Sequence, residues 1–146
     1  MTTLASSAKP APPLADKKAL TAGAARAIMA AAEAEAARVS CKMCIAILDD
    51  GGHLNHFVRM DGTHIGSIEV AIAKARSALL YNRPTKAFSD AYAAGSTALP
   101  TLPGIVPFEG GVPLVHQDRT IGAIGVSGGS PQLDGQVAMA GAATLI

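Results

Sequence analysis

The stretch SCKMCIAILDDGGHLNHFVRM, Ser40–Met60, decides the fold. Ser40–Leu48 is an apolar run rich in Ile, Met and Cys. Asp49-Asp50-Gly51-Gly52 follows, and Asp-Gly between two apolar runs is a strong signal for a tight turn. His53–Met60 then reads as the returning strand, and Asp61-Gly62 ends it. The prediction is an antiparallel β-hairpin.

Working outward from it, Leu20–Val39 is dominated by alanine, the best helix former, with Thr21 placed as its N-cap. After the hairpin, Ile68, Ile72, Ala75 and Leu79 recur at helical spacing within Ser67–Tyr81, and Pro84 stops that helix. Thr85–Ala94 predicts a shorter helix ended by Gly95. Ser96–Gly111 has three prolines and little periodicity, and a loop of that length inside a compact domain is expected to be functional or a lid. Val112–His116 and Thr120–Ser127 predict a second hairpin around Gln117-Asp118. Ser130-Pro131, a cap followed by proline, opens a last helix that runs to the C-terminus. Two hairpins joined in one antiparallel sheet and covered by about four helices make an α+β fold. Parallel βαβ alternation is absent, which argues against a dinucleotide-binding fold.

The 146 residues suit one domain, read as 15–146, behind a disordered tail at 1–14. A net charge of +1 provides no field to collect phosphate backbones, and 3% aromatic residues provide no stacking platform, so no nucleic-acid partner is expected. No apolar run reaches the ~18–20 residues of a membrane span, so no membrane partner is expected either. The first residues lack the apolar core of a secretion signal, and two cysteines are too few for a disulfide scaffold. The expected location is the cytoplasm.

Cys41 and Cys44 have CxxC spacing, but residues three apart on one strand point to opposite faces, and no second CxxC exists. No metal site is predicted. The same parity separates His53, which would share a face with Asn55, Phe57 and Arg59, from His56, which would share one with Leu54 and Val58. His64 falls in a loop and His116 ends the third strand. The glycines say more. Gly110 and Gly111 open one strand, and Ser127-Gly128-Gly129 joins the last strand to the last helix. Successive N–H groups beside a helix start can hold a carboxylate, while tight turns alone would use the same glycines. Gly122, Gly125 and Gly128 suggest close backbone approach. Arg59 is a candidate carboxylate partner. Lys74, in an alanine-rich helix, is either a base or anion anchor in a partly buried site or a lysine snorkelling at a helix edge. Glu109 is a candidate general acid or base.

In order along the chain stand Asp49-Asp50-Gly51-Gly52-His53-Leu54, Arg59-Met60-Asp61-Gly62, Lys74-Ala75-Arg76, Arg83-Pro84-Thr85-Lys86, Glu109-Gly110-Gly111-Val112-Pro113-Leu114 and Gly122–Gly129. As a set these motifs resemble the GlcG/HbpS family, which includes the C-terminal domain of PduO-type proteins, from about Leu20 to the C-terminus. The resemblance implies a four- or five-stranded antiparallel sheet with helices around it and assembly into dimers or larger homo-oligomers. Several members bind haem, and others are encoded among catabolic enzymes.

Three functions are therefore expected in competition. The first is a small-molecule-binding domain taking haem or a related planar ligand, with one of His53, His56, His64 or His116 as the histidine that holds it and the glycine turns Gly110-Gly111 and Ser127-Gly128-Gly129 as further ligand-binding candidates. The second is a cofactor-independent lyase, isomerase or hydrolase acting on a small organic, even aromatic, acid. In it Arg59 and the glycine amides would hold the carboxylate, and Lys74, Glu109 or a histidine would move the proton. The third is an oligomeric accessory protein.

Overall fold

Thr21 accepts the Ala24 N–H at 3.1 Å and so caps α1 (Ala22–Arg38), as its side chain predicts. The computed structural model describes residues 3–4 and 7–146. Met1, Thr2, Ala5 and Ser6 of the expected tail lie outside the described residues, and residues 7–20 carry neither helix nor strand.

The chain continues through β1 (Cys44–Asp49), β2 (Leu54–Arg59), α2 (Gly66–Tyr81), α3 (Thr85–Ala93), β3 (Gly111–His116), β4 (Arg119–Ser127) and α4 (Pro131–Ala142). Short 3₁₀ turns stand at Leu99–Thr101 and Ala143–Leu145. The strands form one antiparallel sheet in the order β2-β1-β4-β3, the α+β architecture expected.

The first strand starts at Cys44 rather than Ser40. Ser40 takes a left-handed φ of 54°, and Cys41 N–H bonds back to Ala36 O. The end of α1 consumes those residues before the chain can extend. In β2, Ile47 pairs with His56 but Leu48 pairs with Leu54. Asn55 is thus the extra residue of a bulge, and Leu54 does not share a face with His56 as strict alternation predicts. His53 lies in the turn, outside the strand.

The sheet is covered on both faces. Ile45, Ile47, Ile124 and Val126 meet Ile28 of α1 and Val137 of α4 in the main core. Each such side chain contributes about 1.5–3 kcal/mol relative to exposure. Cys44, Ala46, Leu48 and Ala123 face Ala71, Ala75 and Ala78 of α2. Small residues dominate this second face because α2 lies against bare backbone. A Cβ on Gly125 would run into Ala71 O, and one on Gly111 into Lys74 O. Gly111 and Gly125 are paired across β3 and β4, so the two gaps form one seat for the helix. The close approach read from the glycine spacing is what the structure has.

The loop before β3 is fastened at several points. Val106 N–H donates to Ser77 Oγ at 3.1 Å, Tyr81 Oη–H donates to Pro103 O at 2.5 Å, and Ile105 is buried. It stands as a wall beside α2 where the sequence suggested a lid.

Candidate functional site

Lys74 sits on the sheet-facing side of α2, and its alanine neighbours leave its long stem room to run past the end of β4. Only 3% of Lys74 and 2% of Asp134 is exposed. Lys74 Nζ donates to Asp134 Oδ2 at 2.8 Å and to Val126 O at 3.1 Å. Asp134, in the first turn of α4, accepts the Gly129 N–H on its other oxygen at 2.9 Å. Burial pushes the Asp134 carboxyl above its ordinary range, against the pull of Lys74. Lys74 is therefore neither at a helix edge nor a free anchor. It is half of a buried pair that ties α2 to α4 around the sheet end.

Above this pair opens a cleft of 480 Å³, within the ~300–1,000 Å³ span of small-molecule sites. Glu69, Val70 and Ala73 of α2 form one wall, Val106 and Phe108 the second, and Pro131 the third. Ser127, Gly129, Lys74 and Asp134 line its floor. Phe108 is 57% exposed, a large aromatic surface turned to solvent at the rim.

Several sequence candidates meet here. Lys74, Ser127 and Gly129 line the cleft. Gly110 stands beside the floor, where an added Cβ would meet Lys74 Nζ and Asp134, and its carbonyl accepts Val126 N–H at 2.9 Å; Gly110 and Gly111 line a separate small cavity with Glu109, and Gly128 packs against Lys42 and Met43. The expected role of the glycine amides changes, however. The Gly129 N–H is taken by Asp134, and Ser130 Oγ takes the Leu133 N–H at 3.2 Å. The carboxylate in that cradle is the protein's own.

Other candidates lie apart. Glu109 is on the far side of Phe108, where its side chain covers Gly135 and borders a second, 700 Å³ cleft with Lys86, Asp90 and Tyr92. Arg59 is at the same end of the sheet but two strands away, with Nε donating to Thr63 O at 3.2 Å. His53 and His116 sit at the two hairpin turns, the opposite end of the sheet. His56 is on the edge strand, its Nδ1 against Asn55 O at 2.9 Å. Cys41 precedes β1, whereas Cys44 is buried under α2, where burial raises its thiol pKa and Arg59 opposes the rise. Among the described residues no group of three or more His, Cys, Asp or Glu converges as a metal site.

Sequence reasoning passed over Val70, Ala73, Val106, Phe108 and Asp134 as site residues. Phe108 carried the one available signal, a bulky aromatic in a proline-rich segment without periodicity. Asp134 read as a dipole partner for α4, which left its second partner invisible. Also unforeseen is a chain of polar groups: Ser127 Oγ–H donates to Ser67 Oγ at 3.3 Å, and Ser67 Oγ lies 3.0 Å from His64 Nδ1. His64 is the histidine connected to the cleft, through two buried serines.

Residues 20–143 match the family described as "Haem degrading protein HbpS-like". Protein GlcG of Escherichia coli (strain K12) is 42% identical over 103 residues, 70% of this chain and 77% of that protein. The crystal structure of HbpS aligns with a TM-score of 0.84 at 32% identity, covering 95% of this chain and 99% of the other. The crystal structure of the PduOC:Heme complex aligns with a TM-score of 0.78 at 27% identity, covering 86% and 94%. The resemblance carried by the motifs is confirmed.

Proposed function

Because this chain belongs to the HbpS-like family, we propose that it is a small-molecule-binding protein whose ligand seats in the cleft over the Lys74–Asp134 pair. The observation that carries the reading is the contrast between walls and floor. Val70, Ala73, Val106 and Phe108 are apolar, and the two buried charges beneath them cancel. Such a site favours a flat, apolar ligand with a polar group directed at Ser127, because the buried pair is compensated within itself and the remaining charge of the lining, Glu69, stands on the exposed wall, where it would repel an anionic ligand.

Haem is the first ligand to test, supported by the family description and by the haem of the PduOC relative. The walls suit a macrocycle face. Among the described residues no histidine, cysteine or methionine lines the cleft, so Val70, Ala73, Val106 and Phe108 would hold the group by its apolar face. Haem would supply redox and ligand-binding chemistry, while the chain's residues hold it and limit water.

Haemin titration should give a saturable Soret shift that Phe108→Asp and Ala73→Trp each weaken at least about tenfold, roughly one aromatic or methylene-scale contact set. His53→Ala, His56→Ala and His116→Ala should bind as the parent does. Unchanged spectra at stoichiometric haemin, or binding lost with a hairpin-turn histidine and kept in Phe108→Asp, would reject the assignment.

A second reading is proton transfer on a small organic acid. It draws on Asp134, which lies 2.8 Å from Lys74 at the cleft floor and whose carboxyl is pushed up by burial. Self-association belongs to the proposal too, supported by the exposed Val115, Met139 and Ile146. A monodisperse monomer by light scattering at micromolar concentration would remove it. Two free thiols support a reducing, cytoplasmic setting. Among the described residues no helix is long and apolar enough to cross a membrane.

A further inference from the structure

We propose that His64, acting through Ser67, sets whether Ser127 offers the cleft a hydrogen-bond acceptor or a donor. The inference rests on the reading of the cleft as a ligand site and adds the residue that would decide which polar group the ligand carries there.

Two hydroxyls and one ring nitrogen are strung in line. Ser67 is 2% exposed and Ser127 7%, so water cannot readily substitute for either partner. Ser127 lines the cleft, whereas His64 is open to solvent at the other end. In the arrangement present, Ser127 Oγ–H donates to Ser67 Oγ. With the ring neutral and its hydrogen on Nε2, Ser67 Oγ–H donates to His64 Nδ1, 3.0 Å away. Ser127 has given its proton inward, and only its lone pairs face the cleft.

An imidazolium cannot accept. When the ring takes one proton from water, Nδ1–H must donate to Ser67 Oγ. The Ser67 hydroxyl then turns to Ser127 Oγ, and the Ser127 hydroxyl turns into the cleft. No hydrogen bond of the chain is lost, since each reverses. The neutral ring therefore favours a ligand N–H or O–H, and the charged ring favours a carbonyl or carboxylate oxygen.

The charged groups on the surrounding elements are Arg59 at the end of β2, Asp61 in the following turn, Lys42 against Gly62, and Glu69 on α2. The Lys74–Asp134 pair below is compensated within itself. Ser67 N–H also bonds to His64 O at 3.2 Å, a local turn that holds the ring over the serine.

The test has two arms, both on the full chain. In the first, NMR follows the His64 ring through its titration in the parent, in Ser67→Ala and in Ser127→Ala. Ser127→Ala should move the His64 midpoint although Ser127 does not touch the ring. A midpoint indifferent to Ser127→Ala overturns the proposal. A merely structural role for Ser67 would leave that midpoint unmoved.

In the second arm, calorimetry compares indole, which only donates, with 1-indanone, which only accepts. Neither ligand titrates in the range used. The affinity ratio of indole to 1-indanone should fall about fivefold across the His64 titration, the scale of one hydrogen bond. The surface variant His64→Gln should abolish that change while keeping the fold by circular dichroism. A ratio that does not follow His64, or that still changes in His64→Gln, overturns the inference. If neither probe binds, the cleft reading fails, and the first arm separately decides whether the serine chain couples.

Discussion

Lys74 and Asp134, sixty positions apart, meet at 2.8 Å with almost no exposure and join two helices that lie on opposite faces of the sheet. Neither could stay charged there alone, since an isolated buried ion loses several kcal/mol of hydration.

Lys74→Met leaves Asp134 buried without its cation and should cost about 3–5 kcal/mol in urea unfolding. Adding Asp134→Asn removes the stranded charge while keeping an acceptor for Gly129 N–H, so the double variant should be more stable than Lys74→Met. A double variant no better than the sum of the single ones would mean that the pair does not couple.

The pH dependence has opposing parts. Glu35 is held down to about 2 from an ordinary 4.5, first by Arg38 and then by Gln136. Its contribution is present above pH 4.5 and is lost as pH falls toward 2. Asp134 runs the other way, because its raised value means that the folded chain keeps a proton the unfolded chain has released. Its contribution favours folding in acid and fades as pH rises through the folded value. Urea midpoints between pH 6 and pH 3 should therefore fall less in Glu35→Gln than in the parent. In Asp134→Asn the acid loss should be steeper.

Gly125→Ala would set a methyl group against Ala71 O, a backbone atom that cannot swing away. A loss of about 3 kcal/mol or more is expected, at the upper end of overpacking. Gly66→Ala is the control: nothing lies within 4 Å of its Cβ position at the start of α2. It should be neutral or gain up to about 1 kcal/mol from helix propensity. Thermal denaturation of the two variants side by side settles the comparison.

Thr85 Oγ1 accepts the Gly111 N–H at 2.8 Å, and both residues are buried. Thr85→Val keeps the shape and strands that N–H, which should cost about 1–3 kcal/mol. Faster amide exchange at Gly111 should accompany the loss.

The local signals were legible because each depends on neighbours in the chain. Asp-Gly between apolar runs marked the first hairpin, Thr21 and Ser130 marked two helix starts, and the spacing of Gly122, Gly125 and Gly128 marked close backbone approach, which at Gly125 is the approach of α2. Periodicity could not report the Asn55 bulge, since one extra residue leaves the composition unchanged and reverses the parity of what lies beyond it. The motif set was enough for the family, because many short matches in fixed order cannot arise from packing alone.

The sequence by itself determined the helices, the hairpins and the family, since these follow from backbone preference, turn chemistry and local spacing. Only the tertiary structure decided what fills the glycine turn, which charge neutralises Lys74, and which histidine is linked to the cleft through Ser67 and Ser127. Those outcomes depend on groups brought together from different elements, and each was settled by which partner could satisfy a buried donor or charge once water had been excluded.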